Sequence, residues 1–440
     1  MARVFVGAML AFVAWSSTAR AQVAAPAPES LAFEDWQLVP LFEARARGEY
    51  RRDVDGRDRG MLVERARLGL DVQRGWAGGR VSLQDARVWN VAAGSNAVPG
   101  PGAMALTGAF EAWGEAHSES VHPSFVRIGR QPVAWGEGRL LGTADWAPRG
   151  RSLDGLRARV VAGETAFEAL AASLASSESA LDEAYGELFG GRAEWARDPL
   201  FAAEAYVLVR LAQTNPSASL ESSVRGQTYT GALRLHGDAA GWAWGVEGAY
   251  QLGRAADLHR DRAAWAVAAH IARVFDRIVL VPTVQLGFSH ASGDSGGSTY
   301  RAFDPLLPDV HTWHGAMDLF AWSNEQEANA RITVAAWADA SASVAYRYAR
   351  LADTRGSWRS GYLATIARPS SNTRSELGHE IDAAMTWSPW TSIELVAGYS
   401  ILVLGAGARA LLETGSATNA TSLPPSLSHF GYAQAVLRVP

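Results

Sequence analysis

The chain has 440 residues and a formal net charge of -5, with 45 acidic side chains against 40 basic ones. That balance excludes a nucleic-acid partner, which needs a broad basic face. It contains no cysteine, which excludes disulfide staples and a lipid-modified N-terminal Cys.

Residues 1–21 have the order of a secretory signal: a basic start at Arg3, an apolar run from Val4 to Trp15, and Ala19-Arg20-Ala21 as a small-residue cleavage site. The run falls short of the roughly 20 residues that a spanning helix needs. Cleavage is expected near Ala21, with the mature chain starting at Gln22 and its destination the bacterial outer membrane. Residues 22–40 are Ala- and Pro-rich and read as a periplasmic lead-in. Residues 41–440 contain no linker, yet exceed the usual length of about 150 residues per domain. A single large closed barrel accommodates them.

From Leu41 the hydrophobic period becomes two. Phe42, Ala44, Ala46, Gly48 and Tyr50 share one parity, and Glu43, Arg45, Arg47 and Glu49 the other. The pattern returns in Leu62 to Gln73, where Leu62, Ala66, Leu68, Leu70 and Val72 oppose Arg65, Arg67, Asp71 and Gln73. It returns again where Leu156, Ala158 and Val160 oppose Arg157 and Arg159, and where Tyr229, Gly231, Leu233 and Leu235 oppose Thr230, Arg234 and His236. Trp242 to Gln251 and Glu380 to Trp387 repeat it. Each run is about ten residues, the length with which a tilted strand crosses the apolar layer.

Trp76-Ala77-Gly78-Gly79 and Asp238-Ala239-Ala240-Gly241 supply tight turns. Asn90 to Gly102, Ser289 to Val310 and Gly415 to Ser428 read as longer loops on one rim, the first two long enough to fold inward. Many of the 17 Trp and 11 Tyr fall near the ends of the alternating runs, as interfacial girdles require. The expected fold is therefore an all-β, single-chain transmembrane antiparallel barrel in contact with outer-membrane lipid. A soluble β-sandwich or β-helix would alternate too, but would bury charge after charge in a dry core at several kcal/mol per unpaired ion.

Several ordered blocks resemble the alginate export family of outer-membrane proteins. They are Arg127-Ile128-Gly129-Arg130-Gln131, Gly136 to Gly142, Asp145-Trp146, Gly150 to Arg157, Glu247 to Gly253, Ala291 to Asp294, Phe303 to Leu306, His314 to Phe320, Leu377 to Asp382 and Glu394 to Tyr399. The resemblance implies a barrel of roughly 18 strands that passes an acidic exopolysaccharide outward through an arginine-lined constriction.

Every one of the 40 cations is Arg, since the chain has no Lys. Guanidinium stays charged and grips a carboxylate with a planar fork. A uronate polymer carries one carboxylate per sugar, so inward arginines suit its passage. Alternation turns Arg45, Arg47, Arg65, Arg67, Arg127, Arg157, Arg159, Arg234 and Arg347 inward, and the family blocks add Arg130, Arg151 and Asp154. The same charges could instead form salt-bridge ladders that stiffen the wall, and the two roles are compatible.

The expected partners are an anionic polysaccharide or small anions, with periplasmic export-complex proteins supplying direction. A general or anion-preferring porin is the first rival reading, and a secreted β-rich polysaccharide-modifying enzyme the second. No enzyme is expected. Gly293-Asp294-Ser295-Gly296-Gly297 and Ala268-Ala269-His270 mimic serine-protease segments, but lie too close for the subdomains of that fold to separate them. No cofactor or metal is expected, since Asp309, His311 and His314 lack both a helix to hold them and a fourth ligand.

Overall fold

The computed structural model describes residues 31–33, 35–89, 106–174, 185–213, 226–255, 260–309, 311–367, 372–415 and 425–439. The signal segment, most of the lead-in, the loop Asn90 to Gly102 and the middle of Gly415 to Ser428 lie outside them.

Eighteen long strands close into one antiparallel barrel. The first six are β1 (Trp36–Arg52), β2 (Asp58–Arg74), β3 (Ala77–Trp89), β4 (Leu106–His117), β5 (Phe125–Gln131) and β6 (Leu153–Ala162). Then come β7 (Thr165–Ser173), β8 (Tyr185–Asp198), β9 (Phe201–Gln213), β10 (Gly226–Ala239), β11 (Trp242–Ala255) and β12 (Arg260–Val274). The circuit ends with β13 (Thr283–Ala291), β14 (Glu325–Trp337), β15 (Ala340–Leu351), β16 (Glu376–Trp390), β17 (Ile393–Leu404) and β18 (Leu427–Val439). Closure comes from β1 pairing with β18, Phe42 opposite Val439 through Arg52 opposite His429. Among the described residues the barrel wall has no open edge, as lipid requires, because an unpaired backbone group there costs several kcal/mol.

The period-two pattern sets which way each side chain points. On β2 the outward Leu68 is 65% exposed while the inward Arg65 is 2% exposed. A slip of one residue would exchange those faces, so register is strongly fixed. The two rims differ. Turns such as 163–164, 240–241 and 391–392 are short, whereas the connections at the other rim are long.

Two of those long connections turn inward, and much of the core lies there. Residues 132–152, between β5 and β6, bury Trp135, Leu140 and Leu141 against wall residues Leu170, Leu188, Tyr206 and Leu208. Residues 292–324, between β13 and β14, add Phe303, Leu306, Leu307 and Trp322 to that cluster. Thus Ser289 to Ala291 still belong to a wall strand, and the rest of the expected rim loop up to Asp309 enters the mouth and the lumen. A second cluster joins Met317, Leu319 and Phe320 to Trp358, Leu377, Phe430 and Leu411 of α1 (Ala406–Gly415).

Candidate functional site

The candidate site is the lumen where the two inward segments meet the charged wall. Gly136 enters with φ +61, a left-handed conformation that glycine adopts without strain. Its amide donates to Glu204 Oε1 at 2.9 Å and the Glu137 amide to Glu247 Oε2 at 3.3 Å, while Trp135 Nε1 donates to Glu168 Oε1 at 2.9 Å. Glu247 also accepts from the Tyr206 hydroxyl. Wall carboxylates on β7, β9 and β11 thus capture the loop through its own donors, satisfying backbone groups that burial would otherwise orphan.

The opposite side of this segment is held by arginines. Arg45 Nη1 donates to the Asp145 carbonyl at 2.6 Å and Nη2 to that of Ala147 at 2.8 Å. Arg65 reaches the Asp145 carboxylate at 3.0 Å and Glu43 at 2.5 Å. Arg67 donates to the Arg149 carbonyl at 3.0 Å and lies 3.4 Å over the Phe110 ring. Arg47 donates to the Trp146 carbonyl at 3.0 Å, with its guanidinium 3.7 Å over that indole. The other face of Trp146 stacks on His311 at 3.7 Å.

The two inward segments also bond to each other. Gly142 N donates to Leu307 O at 2.9 Å, Leu307 N to Leu140 O at 3.0 Å, and Asp309 N to Gly138 O at 2.7 Å. Arg151 Nη1 clamps the junction through the carbonyls of Gly142 at 2.8 Å and Leu307 at 2.6 Å. Burial pulls the Arg151 guanidinium down to about 10, which leaves it charged at neutral pH. Burial pushes Glu137 upward, but Arg139, His270 and Arg234 outweigh it and hold that carboxyl below its usual range. Burial, reinforced by Asp145, pushes the Asp309 carboxyl up to about 6 against the pull of Arg151 and His311.

The remaining sequence-identified residues spread around the wall. Arg127 pairs with Glu115 at 2.7 Å, Arg157 with Glu168 at 2.8 Å, Arg159 with Glu194 at 3.1 Å, and Arg130 with Asp154 at 3.1 Å. Arg234 meets Glu137 at 3.4 Å, and Arg347 pairs with Glu327 and donates to the Trp313 carbonyl at 2.8 Å. All twelve residues therefore have partners within the chain. Arg45, Arg47 and Arg65 are at most 5% exposed, whereas the side chains of Arg127 and Arg159, towards the short-turn rim, keep 20% and 23%.

Sequence reading missed the acidic wall set, Glu168, Glu204 and Glu247, and the arginines Arg210 and Arg262 that pair with Asp304. Their inward parity on β7, β9, β11 and β12 was the available signal. Asp309, His311 and His314 do not converge. His311 Nδ1 lies 3.1 Å from Asp318, while His314 Nδ1 lies 3.3 Å from both Glu325 and Glu327.

A family model described as alginate export matches residues 41–420. No curated protein matches in sequence. Among solved structures, OccK2 (OpdF) of Pseudomonas aeruginosa in complex with glucuronate is 11% identical, with a TM-score of 0.59 over 91% of this chain and 98% of that one. The outer-membrane protein opdK of Pseudomonas aeruginosa is 14% identical, with a TM-score of 0.59 over 92% and 99%. OccAB2 of Acinetobacter baumannii is 11% identical, with a TM-score of 0.56 over 91% and 98%. At such identities the likeness establishes the barrel fold.

Proposed function

The chain belongs to the alginate export family, and from that premise we propose that it passes an anionic, alginate-like exopolysaccharide outward along an arginine track. That it is an outer-membrane channel, and no enzyme, follows from the family and the 18-strand barrel. By the usual asymmetry of such barrels, the short turns face the periplasm and the long loops the exterior.

The observation that supports the finer reading is the run of inward arginines on β6, β5, β3, β2 and β1: Arg159, Arg157, Arg127 and Arg80 towards the short-turn rim, then Arg67, Arg65, Arg45 and Arg47 towards the middle. Each stands beside a carboxylate or a carbonyl that it already holds. A uronate carboxylate can take the place of such an acceptor in one charge-assisted exchange for another, so each step is nearly balanced and reversible. Glu43, Glu111, Glu115 and Glu168 keep binding weak enough to release the polymer.

The inward segments narrow this route, so passage requires them to shift. Their anchors on the arginine side are ones that a polyanion competes for: Asp145 on Arg65 and Arg67, and backbone carbonyls on Arg45 and Arg47. In this reading the cargo loosens the plug by replacing its contacts with the wall.

A second reading, a channel for small anionic solutes, draws support from the glucuronate bound to the structurally similar OccK2. Planar-bilayer recordings with glucuronate and polyuronate fragments of increasing length separate the two. Block that strengthens with chain length, beyond that of glucuronate at equal carboxylate concentration, supports a polymer track. Equal block by monomer and polymer would leave the small-anion channel, and pores indifferent to both would remove the anionic cargo altogether.

A further inference from the structure

We propose that His314, Glu325 and Glu327 form a site for a borderline divalent cation such as Zn²⁺, which pins an inward segment to the barrel wall. His314 sits on the connection between β13 and β14, and the two glutamates open β14 with inward side chains. All three residues are at most 3% exposed, and their ligand atoms lie within 4.8 Å of one another.

The spacing favours a metal over a hydrogen bond. His314 Nδ1 stands 3.3 Å from Glu325 Oε2 and 3.3 Å from Glu327 Oε2. One ring nitrogen carries at most one proton and cannot serve both carboxylates well, and charge-assisted bonds of this type normally close to about 2.8 Å. Ligands about 2.0 Å from a tetrahedral Zn²⁺ lie roughly 3.3 Å apart.

A second observation points the same way. Both Glu325 carboxylate oxygens are buried without a hydrogen-bond partner among the described residues, the only cationic group within 4 Å being His314. Glu327, by contrast, already receives Asn329 Nδ2 at 2.7 Å and Arg347 Nη1, both on Oε1, which orients Oε2 into the cluster. A buried acceptor with no donor is costly, and a cation is what it lacks.

His314 would bind a metal as the neutral imidazole. One imidazole with two carboxylates suits Zn²⁺ or its first-row neighbours better than Ca²⁺ or Mg²⁺, which prefer all-oxygen shells.

Untagged full-length protein in detergent, stripped with a chelator and dialysed, tests this by calorimetric titration with ZnCl₂ alone. About one equivalent is expected to bind, with affinity falling roughly tenfold or more in Glu325→Gln and unchanged in His311→Asn. No saturable binding, or equal binding by Glu325→Gln, overturns the site. Zn²⁺ is also expected to protect wild-type residues 311–322 from limited proteolysis, a readout that needs no variant to fold. Absence of protection overturns the pinning role.

Discussion

Arg65 on β2 and Asp145 on the first inward segment meet at 3.0 Å, and the same guanidinium reaches the Asp145 carbonyl at 3.1 Å. One side chain therefore serves both as a lumen cation and as a latch on the plug. Replacing Asp145→Asn removes the ionic half of this contact and leaves the carbonyl bonds to Arg45 and Arg65 in place. A charge-assisted hydrogen bond contributes about 1.5–3 kcal/mol, so the open probability should rise about tenfold or more. Single-channel recording checks it, and an unchanged open probability would show that the latch lies elsewhere.

The short-turn mouth should behave differently. Among the described residues, Arg127 and Arg159 hold no inward segment and form ion pairs with the wall carboxylates Glu115, Glu168 and Glu194 alone. The double change Arg127→Ala/Arg159→Ala should lower anion preference in reversal-potential measurements and weaken block by polyuronate added from that side. It should not reproduce the rise in open probability expected of Asp145→Asn. If selectivity does not move, these two arginines only stiffen the wall.

Gly136 tests the plug from its acidic side. A Cβ there would stand 2.9 Å from Glu247 Oε1 and 3.0 Å from the Tyr206 hydroxyl, on a backbone with φ +61. The left-handed conformation alone costs an L-residue about 1–2 kcal/mol. Gly136→Ala should therefore speed amide hydrogen exchange at Trp135 and Gly138 by about tenfold while the barrel strands keep their protection. Loss of protection in the strands as well would mean that the segment supports the wall and is no separate plug.

The wall was legible in the sequence because its chemistry has a period. Arg45 and Arg47 alternate with Ala44, Ala46 and Gly48, and a two-residue repeat needs no tertiary knowledge to assign faces. The inward segments were not legible, because they have no period. Trp135, Leu140 and Leu141, or Phe303, Leu306 and Leu307, are short apolar groups among Gly and Pro residues, and look like loops until the barrel supplies the surface that buries them. For the same reason nothing in the sequence sets Arg45, Arg47 and Arg65 against the Asp145, Trp146 and Ala147 carbonyls that they hold. Those contacts span about a hundred positions of chain.

The junction of the two inward segments should be sensitive to pH through Asp309. Burial and Asp145 raise its carboxyl from an ordinary 3.8 to about 6, with Asp318 adding to the effect and Arg151 and His311 opposing it. Between those two values the closed junction holds a proton that the open one has released. Its contribution is therefore full below pH 4 and is lost as pH rises through 6, becoming constant above. A shift of roughly two pH units corresponds to an upper figure of about 3 kcal/mol, reduced by the partial exposure of the side chain. Hydrogen-exchange protection factors at the Gly142, Leu307 and Asp309 amides, which close the junction, should fall between about pH 4 and pH 6.5 and stay level above that. Asp309→Asn, which mimics the protonated form, should keep the pH 4 protection across that range. Flat protection in the wild type, or the same decline in the variant, would assign the pH response to another group and leave Asp309 a passive neighbour of Gly142.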